Sequence, residues 1–267
     1  MDLQLGGKSA LITGSSGGIG EGIAKVFAKE GATVVIHGRN RTNAERVANE
    51  IKDNGGTAYV ALGDLSNDEG ASKVSSIAMS KTGGIDILVN NAADYKNRGW
   101  AESTPDGWAE LYNLNVLSCV RMIRSVMPQM KKNEWGRIIQ ISSGEATQPF
   151  AFMPDYAATK AALNNLTVSL SKELASTGIT SNTISPGIIV TSSLEKFYRE
   201  TAAKRGWESD WNEIEKHVVQ EILYNPVGRL GKVDDVANLV VFVASPLASY
   251  INGANLRVDG GSVVTVN

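Results

Sequence analysis

Tyr156 and Lys160 stand four residues apart, the interval that sets two side chains on one face of a helix. A tyrosine ordinarily titrates near pH ~10, too high for ready proton exchange at neutrality. A neighbouring ammonium favours the phenolate, so the pair predicts a general acid/base in which Lys160 lowers the pKa of Tyr156. Ser143 follows an apolar, β-branched run at 137–142. A serine there is placed to donate a hydrogen bond to a carbonyl oxygen, and that bond strengthens as the oxygen gains charge in the transition state. On residue type alone, Ser142 is a rival for the same role.

A second constellation lies near the start. Residues 13–20 read Thr-Gly-Ser-Ser-Gly-Gly-Ile-Gly, with Gly14, Gly18 and Gly20 spaced Gly-x-x-x-Gly-x-Gly between a strand-like run and a helical one. Glycines at such a turn let backbone approach a pyrophosphate, while the helix N-terminus supplies N–H groups and the positive end of a dipole. The second strand-like run ends His37-Gly38-Arg39-Asn40. A carboxylate at this point would hold a ribose 2′-hydroxyl, whereas a guanidinium grips a 2′-phosphate. Arg39 therefore predicts NADP(H) as cofactor, and His37 reads as a strand-end residue without a catalytic part.

These groups need a scaffold, and the chain spells one out. Near-continuous apolar runs at 9–13, 33–37, 58–62, 85–90, 137–142, 180–185 and 256–258 read as parallel strands covered on both faces. Amphipathic stretches separate them, such as 21–29 and the stripe Leu163, Leu166, Leu170, Leu174. The alternation predicts an α/β fold: one Rossmann-type domain over 1–267, a doubly wound parallel seven-stranded sheet with helices on both faces. The segment at about 188–227 breaks the rhythm with aromatics (Phe197, Tyr198, Trp207, Trp211, Tyr224) among charges. It is expected to be a helical, substrate-covering lid at the carboxyl edge of the sheet, where ligands of such folds bind.

Composition excludes other classes. With 26 basic and 28 acidic residues in 267, net charge −2, there is no basic footprint for nucleic acid and no polybasic membrane patch. The longest apolar run, 239–244, falls far short of the ~20 residues of a membrane span, and residues 1–7 lack the features of a signal peptide. A single Cys119 and two histidines, His37 and His217, predict no disulfide framework, no metal site and a cytoplasmic setting. Neither histidine suits a Ser-His-Asp hydrolase, no Gly-Lys-Ser phosphate loop occurs, and Cys119 sits in an apolar helical run as a core residue.

Taken in order, these motifs resemble the short-chain dehydrogenase/reductase family over essentially the whole chain. The 13–20 loop is similar to that family's cofactor turn, which implies contacts from Gly14, Ser16, Gly18, Ile19 and Gly20, with Arg39 and Asn40 at the adenosine ribose. Gly63-Asp64-Leu65 resembles the adenine-contacting segment, implying Asp64 and Leu65 as contacts. Asn90-Asn91-Ala92-Ala93 resembles the family's Asn-Asn-Ala-Gly turn, with Ala93 in place of glycine, and implies Asn91 and Ala92. Asn115, Ser143, Tyr156 and Lys160 match the catalytic set, with Asn115 implied to anchor a water that relays protons to Lys160. Pro186, Gly187, Ile189 and Thr191 resemble the segment that holds the nicotinamide carboxamide, and Tyr156 and Lys160 are implied to touch the cofactor as well.

The resemblance implies a reductase that passes hydride between NADPH and a ketone or secondary alcohol, commonly as a homotetramer. Within the family the pattern is similar to the 3-oxoacyl-carrier-protein reductases. Those typically carry basic residues where this chain has Glu134 and Thr177, and a shorter segment after Pro-Gly, so a free small ketone is expected ahead of a carrier-linked chain. A reading from another class is a non-catalytic NADP-binding sensor, against which the intact Ser143, Tyr156 and Lys160 set argues.

Overall fold

The computed structural model of the protein describes residues 1–265. Seven parallel strands form one sheet: β1 (Ser9–Ile12), β2 (Thr33–Gly38), β3 (Thr57–Leu62), β4 (Ile87–Asn90), β5 (Gly136–Ile141), β6 (Ile179–Pro186) and, at residues 255–258, the last strand. Their spatial order is β3-β2-β1-β4-β5-β6 and then that last strand, so the order reverses between β1 and β4. At such a switch point the loops beyond the carboxyl ends part and leave a crevice.

Alternate strand residues feed two cores. Ala10 and Ile12 point into one with Ile23, Ala24 and Phe27 of α1 (Gly18–Lys29), Val47 of α2 (Arg41–Asp53) and Val240 near the carboxyl end of the chain. Leu11 points to the other face, with Val74 of α3 (Asp68–Thr82), after which come α4 (Pro105–Tyr112) and α5 (Ser118–Lys132), the source of Met122 and Val126. The helix α6 (Pro154–Glu173) covers that face through Leu166 and Leu170. Continuous burial on both faces is why these strands read as unbroken apolar runs.

All seven expected strands are present, with ends shifted by a residue or two. The largest shift is in β4, which begins at Ile87; Asp86 still bonds the neighbouring strands through the Ser9 carbonyl and the Arg137 amide, and Ile85 lies outside the ladder. The Ile85 amide donates to Gln129 Oε1 at 2.7 Å, and the Asp86 carboxylate accepts from the Ser9 amide at 2.9 Å. The 188–227 segment is helical as expected: after the short β7 (Ile189–Val190) come α7 (Ser192–Arg205) and α8 (Trp211–Glu221). It has a core of its own, Tyr198, Ala202, Ile214, Val218 and Val219, with Trp207 and Trp211 packed against it. Pairing of β7 with β8 (Gly231–Lys232), ahead of α9 (Val233–Ala244) and β9 (Asn255–Val258), ties the segment back to the main body. These two-residue strands carry no periodicity and are not readable in the sequence. No helix among the described residues is long and apolar enough to cross a membrane.

Candidate active site

The turn after β1 is built for a close ligand. Gly14 has φ +65°, and a Cβ there would lie 2.9 Å from Ala92 Cα, so only glycine fits. At Gly20 a Cβ would meet Asn91 Nδ2 at 2.5 Å, which lets α1 start hard against the turn. Asn91 Nδ2 in turn donates to the carbonyls of Thr13 (3.0 Å) and Gly14 (3.1 Å), and Thr13 Oγ1 accepts from the amides of Asn91 and Ala92. Helix α1 receives no side-chain cap at its first turn, whereas α2, α3, α4, α7 and α8 do; α5 and α6 also lack one, α5 continuing from a preceding turn and α6 opening on Pro154. The first N–H groups of α1 are thus left for an anion. The cradle suits the pyrophosphate of a dinucleotide, and Gly18, Ile19 and Ser16 border it.

Around the cradle, the remaining implied contacts are distributed unevenly. Ser16 lies against the end of β2, its Oγ 2.6 Å from where a Gly38 Cβ would be. Arg39 is exposed beside it, and its charge together with the Ser66 bonds holds the Asp64 carboxyl below the usual range, with the Ser66 amide the leading cause. Asn40 caps α2, its Oδ1 accepting from the Asn43 amide at 3.0 Å. Leu65 is buried in the core under α3 and α5, so only its backbone can face a ligand. Ala93 does not have a positive φ, and its departure from glycine therefore carries no backbone strain. Across the crevice, Thr191 caps α7 and its Cγ2 would lie 3.6 Å from a Gly18 Cβ, which brings the Pro186, Gly187 and Ile189 segment over the cradle. Ile189 itself is buried in the core.

Ser143, Tyr156 and Lys160 converge at the carboxyl edge of β5. Ser143 starts a short 3-10 turn, Gly144–Ala146, and its Oγ accepts from the Glu145 amide at 3.2 Å. Ser142, the rival, is committed: its hydroxyl is buried and donates to the Lys160 carbonyl at 3.0 Å. Lys160 is buried on α6, one turn beyond Tyr156, with Nζ 5.4 Å from the Tyr156 ring centroid and donating to the Ile141 carbonyl at 2.8 Å. Burial pulls the Lys160 ammonium down to about 8.

One expectation is corrected. Lys160 was expected to lower the pKa of Tyr156, yet the phenol is raised above its ordinary value. Burial is the main cause, the charge of Glu145 adds to it, and the Ser143 hydroxyl opposes them only in part. Lys160, held over the ring by its bond to the Ile141 carbonyl, does not outweigh the desolvation of the phenol. A phenol held protonated at neutrality is fitted to give a proton, not to take one.

Asn115 is tied to two neighbouring elements. It sits in a π-helical turn, Asn113–Leu117, between α4 and α5. Its side chain accepts from the Asp94 amide (2.9 Å) and donates to the Asp94 carbonyl (2.9 Å) and Thr159 Oγ1 (3.1 Å). Both amide N–H groups are used, so the side chain fastens the loop after β4 to α6, with Oδ1 keeping acceptor capacity. Cys119 is buried, bonded to the Asn115 carbonyl at 3.2 Å and pushed up to about 11 by burial, as befits a core thiol.

Three features escaped the sequence reading. His37 Nδ1 accepts from the Gly14 amide at 3.0 Å, which gives a strand-end histidine a structural task in the cradle. Asp155, wholly buried, accepts from Arg98 Nε (2.9 Å) and Nη2 (2.7 Å) through one oxygen and from the Tyr156 amide (2.8 Å) through the other. Tyr95 meets the Tyr156 ring edge-on at 6.0 Å. None of these pairings leaves a local sequence signal, because each joins separate elements or a loop.

Beyond Ser143 opens a cavity of about 630 Å³, walled by Glu145, Phe150, Gly187, Tyr224, Arg257 and Val263 among others. A glycine cradle at the switch point, with a serine and a Tyr-Lys helix beside it, places the chain among the dinucleotide-dependent oxidoreductases built on a Rossmann-type sheet. Comparison with known proteins agrees. The family pattern described as short chain dehydrogenase matches residues 8–202. The chain is 36% identical over 266 residues to 7alpha-hydroxysteroid dehydrogenase of Escherichia coli, covering 100% of this chain and 98% of that protein. It is 34% identical to 3-oxoacyl-[acyl-carrier-protein] reductase of Vibrio cholerae, over 97% of this chain and 98% of that one. The crystal structure of L-sorbose reductase from Gluconobacter frateurii, complexed with NADPH and L-sorbose, superposes with a TM-score of 0.93 at 36% identity, covering 100% of both chains. The chain belongs to the short-chain dehydrogenase/reductase family and is an oxidoreductase.

Proposed function

We propose that the protein is an NADP(H)-dependent carbonyl reductase that interconverts a free small ketone and its secondary alcohol. The observation that carries this reading is the convergence of the Ser143 hydroxyl, the Tyr156 phenol and the Lys160 ammonium at the carboxyl edge of β5, with Ser143 on the cavity wall. NADPH, when bound, supplies the hydride. Ser143 donates a hydrogen bond to the carbonyl oxygen, and that bond strengthens as charge develops there. Tyr156 gives its proton to the same oxygen, and the buried Lys160 ammonium stabilises the phenolate left behind. Arg39, exposed and with no carboxylate on its strand end, supports the 2′-phosphate form of the cofactor, as does the NADPH of the L-sorbose reductase structure.

A carrier-linked substrate is the second reading, favoured by the identity to 3-oxoacyl-[acyl-carrier-protein] reductase. Glu134 and Thr177 precede β5 and β6 and so lie at the amino edge of the sheet, opposite Ser143. Whatever docks there does not meet the Ser143 edge of the same chain. The free-ketone reading therefore leans on the polar groups set in the cavity wall, Ser143, Glu145 and Asn238 among them. We also infer a cytoplasmic homotetramer: the edge strand β9 is half-buried, and Leu247 and Tyr250 stand exposed beside it, ready to be covered by a second copy. Sedimentation tests that assembly.

The function is tested by following NADPH and NADH oxidation with a panel of free ketones and one acyl-carrier substrate. A higher kcat/KM for free ketones with NADPH is expected. Preference for the carrier-linked chain, or no turnover with tight NADPH binding as in a sensor, overturns the proposal.

A further inference from the structure

We propose that Glu145 selects hydroxylated ketones, its carboxyl group accepting a hydrogen bond from a hydroxyl on the carbon beside the reacting carbonyl. The proposal rests on the reading of this site as a ketone reductase. Glu145 sits two residues after Ser143 on the same 3-10 turn, and its amide is bonded to the Ser143 hydroxyl at 3.2 Å. Ser143 and Glu145 both line the same cavity, so a carbonyl held by Ser143 shares that space with this side chain. Glu145 lines the cavity, is nine-tenths buried, and its Oε2 has no hydrogen-bond partner.

The charged side chains of the cavity wall other than Glu145, together with Asn225 and the Gln148 carbonyl, are already engaged. Arg229 pairs with Asp235 through both terminal nitrogens, at 2.7 and 3.0 Å. Arg257 donates to the Val263 and Thr265 carbonyls, Asp259 accepts from the Gly261 and Val263 amides, and Gln148 accepts from the Val264 amide. Asn225 spans Arg229 and Gly228. Buried polar atoms without partners are uncommon in folded proteins and call for a ligand or an ordered water.

The chemistry of the group favours a hydroxyl over a cation. Burial raises the Glu145 carboxyl to about 7, opposed only by the Phe150 amide. A carboxyl poised between its two forms bonds a hydroxyl in either, whereas a cationic ligand needs the ionised form throughout. The charge of Glu145 also acts on Tyr156, so the carboxyl and the reacting phenol share one environment. A plain alkyl ketone would leave the buried Oε2 without a partner. Leaving such a group unmatched costs about ten- to a hundredfold in discrimination.

The test compares an α-hydroxyketone with the chain-matched methyl ketone, in wild type, Glu145→Gln and Glu145→Ala. NADPH dissociation constants report that each variant retains its fold and cofactor site. Wild type is expected to favour the hydroxyketone at least tenfold in kcat/KM. Glu145→Ala should lower kcat/KM for the hydroxyketone ten- to a hundredfold more than for the plain ketone, mostly through KM, and the isosteric Glu145→Gln should retain part of the preference. Equal losses on both substrates, or a wild type that turns over plain ketones as well, overturn the role of Glu145 and leave the reductase standing. Absence of turnover on every ketone with either cofactor overturns both.

Discussion

The backbone amide of Gly14 donates to Nδ1 of His37 at 3.0 Å, so the first glycine of the cofactor turn is held by a ring from the neighbouring strand. The same ring approaches the Gly63 carbonyl at 3.2 Å through Nε2. Only the neutral tautomer with its proton on Nε2 serves both partners. Burial enforces that state, lowering His37 from its ordinary value to about 4. One imidazole therefore ties together the turns after β1 and β3, on which the adenosine half of a dinucleotide would lie.

This bond gives stability a pH dependence of known sign. The folded-state pKa is depressed, so the contribution is fully present above pH ~6.5 and is lost as pH falls through about 4, by up to a few kcal/mol. Denaturant titrations at pH 7 and 4.5 should show wild type losing more stability than His37→Asn. NADPH affinity at pH 7 should fall several-fold in His37→Ala, because a buried amide at Gly14 is left without its acceptor. Unchanged affinity in that variant would show that the ring does not support the cradle.

Tyr156→Phe removes the proton donor and keeps the ring. General acid catalysis contributes ~10²–10⁴-fold, so ketone reduction should fall by at least that much while NADPH binding changes little. The pH profile carries a second expectation. Lys160 titrates at about 8 through burial, and the phenolate left after proton transfer needs its charge. In the wild type kcat/KM for reduction should accordingly fall as pH rises past about 8, and in Lys160→Met that limb should vanish along with most of the rate.

Much of this arrangement is legible in residue order, and the part that is not has a common cause. The sheet can be read because burial on both faces forces strands such as 137–142 to be continuously apolar. The cradle and the Tyr156 and Lys160 pair can be read because turn geometry and helix pitch impose short, fixed spacings. By contrast, the His37 bond to Gly14, the Arg98 bond to Asp155 and the orphaned Glu145 oxygen depend on loops or on partners far apart in the chain. The direction of the Tyr156 shift is not legible in the sequence for a related reason. Spacing shows that a lysine is near, but it cannot show how deeply the phenol is buried or that the Glu145 carboxylate stands beside it.

Arg39 tests the choice of cofactor. Its guanidinium is exposed at the end of β2, beside Ser16 and Asn40. Charge-assisted hydrogen bonds contribute about 1.5–3 kcal/mol, roughly ten- to a hundredfold. Arg39→Ala should weaken NADPH binding by that factor and leave NADH nearly unaffected, as read by fluorescence titration. Equal losses for both, or a wild type that prefers NADH, would remove the argument.

The Arg98–Asp155 pair makes an asymmetric prediction. Asp155 is fully buried and also fixes the amide of Tyr156, whereas the Arg98 side chain is 22% exposed. Removing Arg98 strands a buried carboxylate, a loss on the order of 3–5 kcal/mol. Asp155→Asn keeps an acceptor for the Tyr156 amide and leaves an arginine that can reach water. Arg98→Met should therefore destabilise more than Asp155→Asn in denaturant titration, and it should lower kcat more than it raises KM for NADPH, since the ring of Tyr156 loses its anchor.

The helical segment at 188–227 divides into residues that hold it together and residues that face the cavity. Trp207 stacks on His217 with centroids 4.6 Å apart, beneath the Arg205 guanidinium, and packs against the segment's own core. Phe197 is 53% exposed and leans on Tyr198. Neither lines the cavity, whereas Ile222, Tyr224 and Val227, beyond the end of α8, do so. A lid that selects substrate should act through these last three, closing over a bound ketone and excluding water from Ser143 and Tyr156. Trp207→Ala should lower the melting temperature by several degrees and keep the ranking of ketones. Tyr224→Ala should leave the melting temperature within about 2 °C, since this ring is largely exposed, yet reorder kcat/KM across a ketone panel by roughly tenfold, the worth of one side chain in a substrate pocket. If Tyr224→Ala and Trp207→Ala both change stability and leave the ranking intact, the segment is a structural cover and the cavity selects its substrate from the Glu145 side alone.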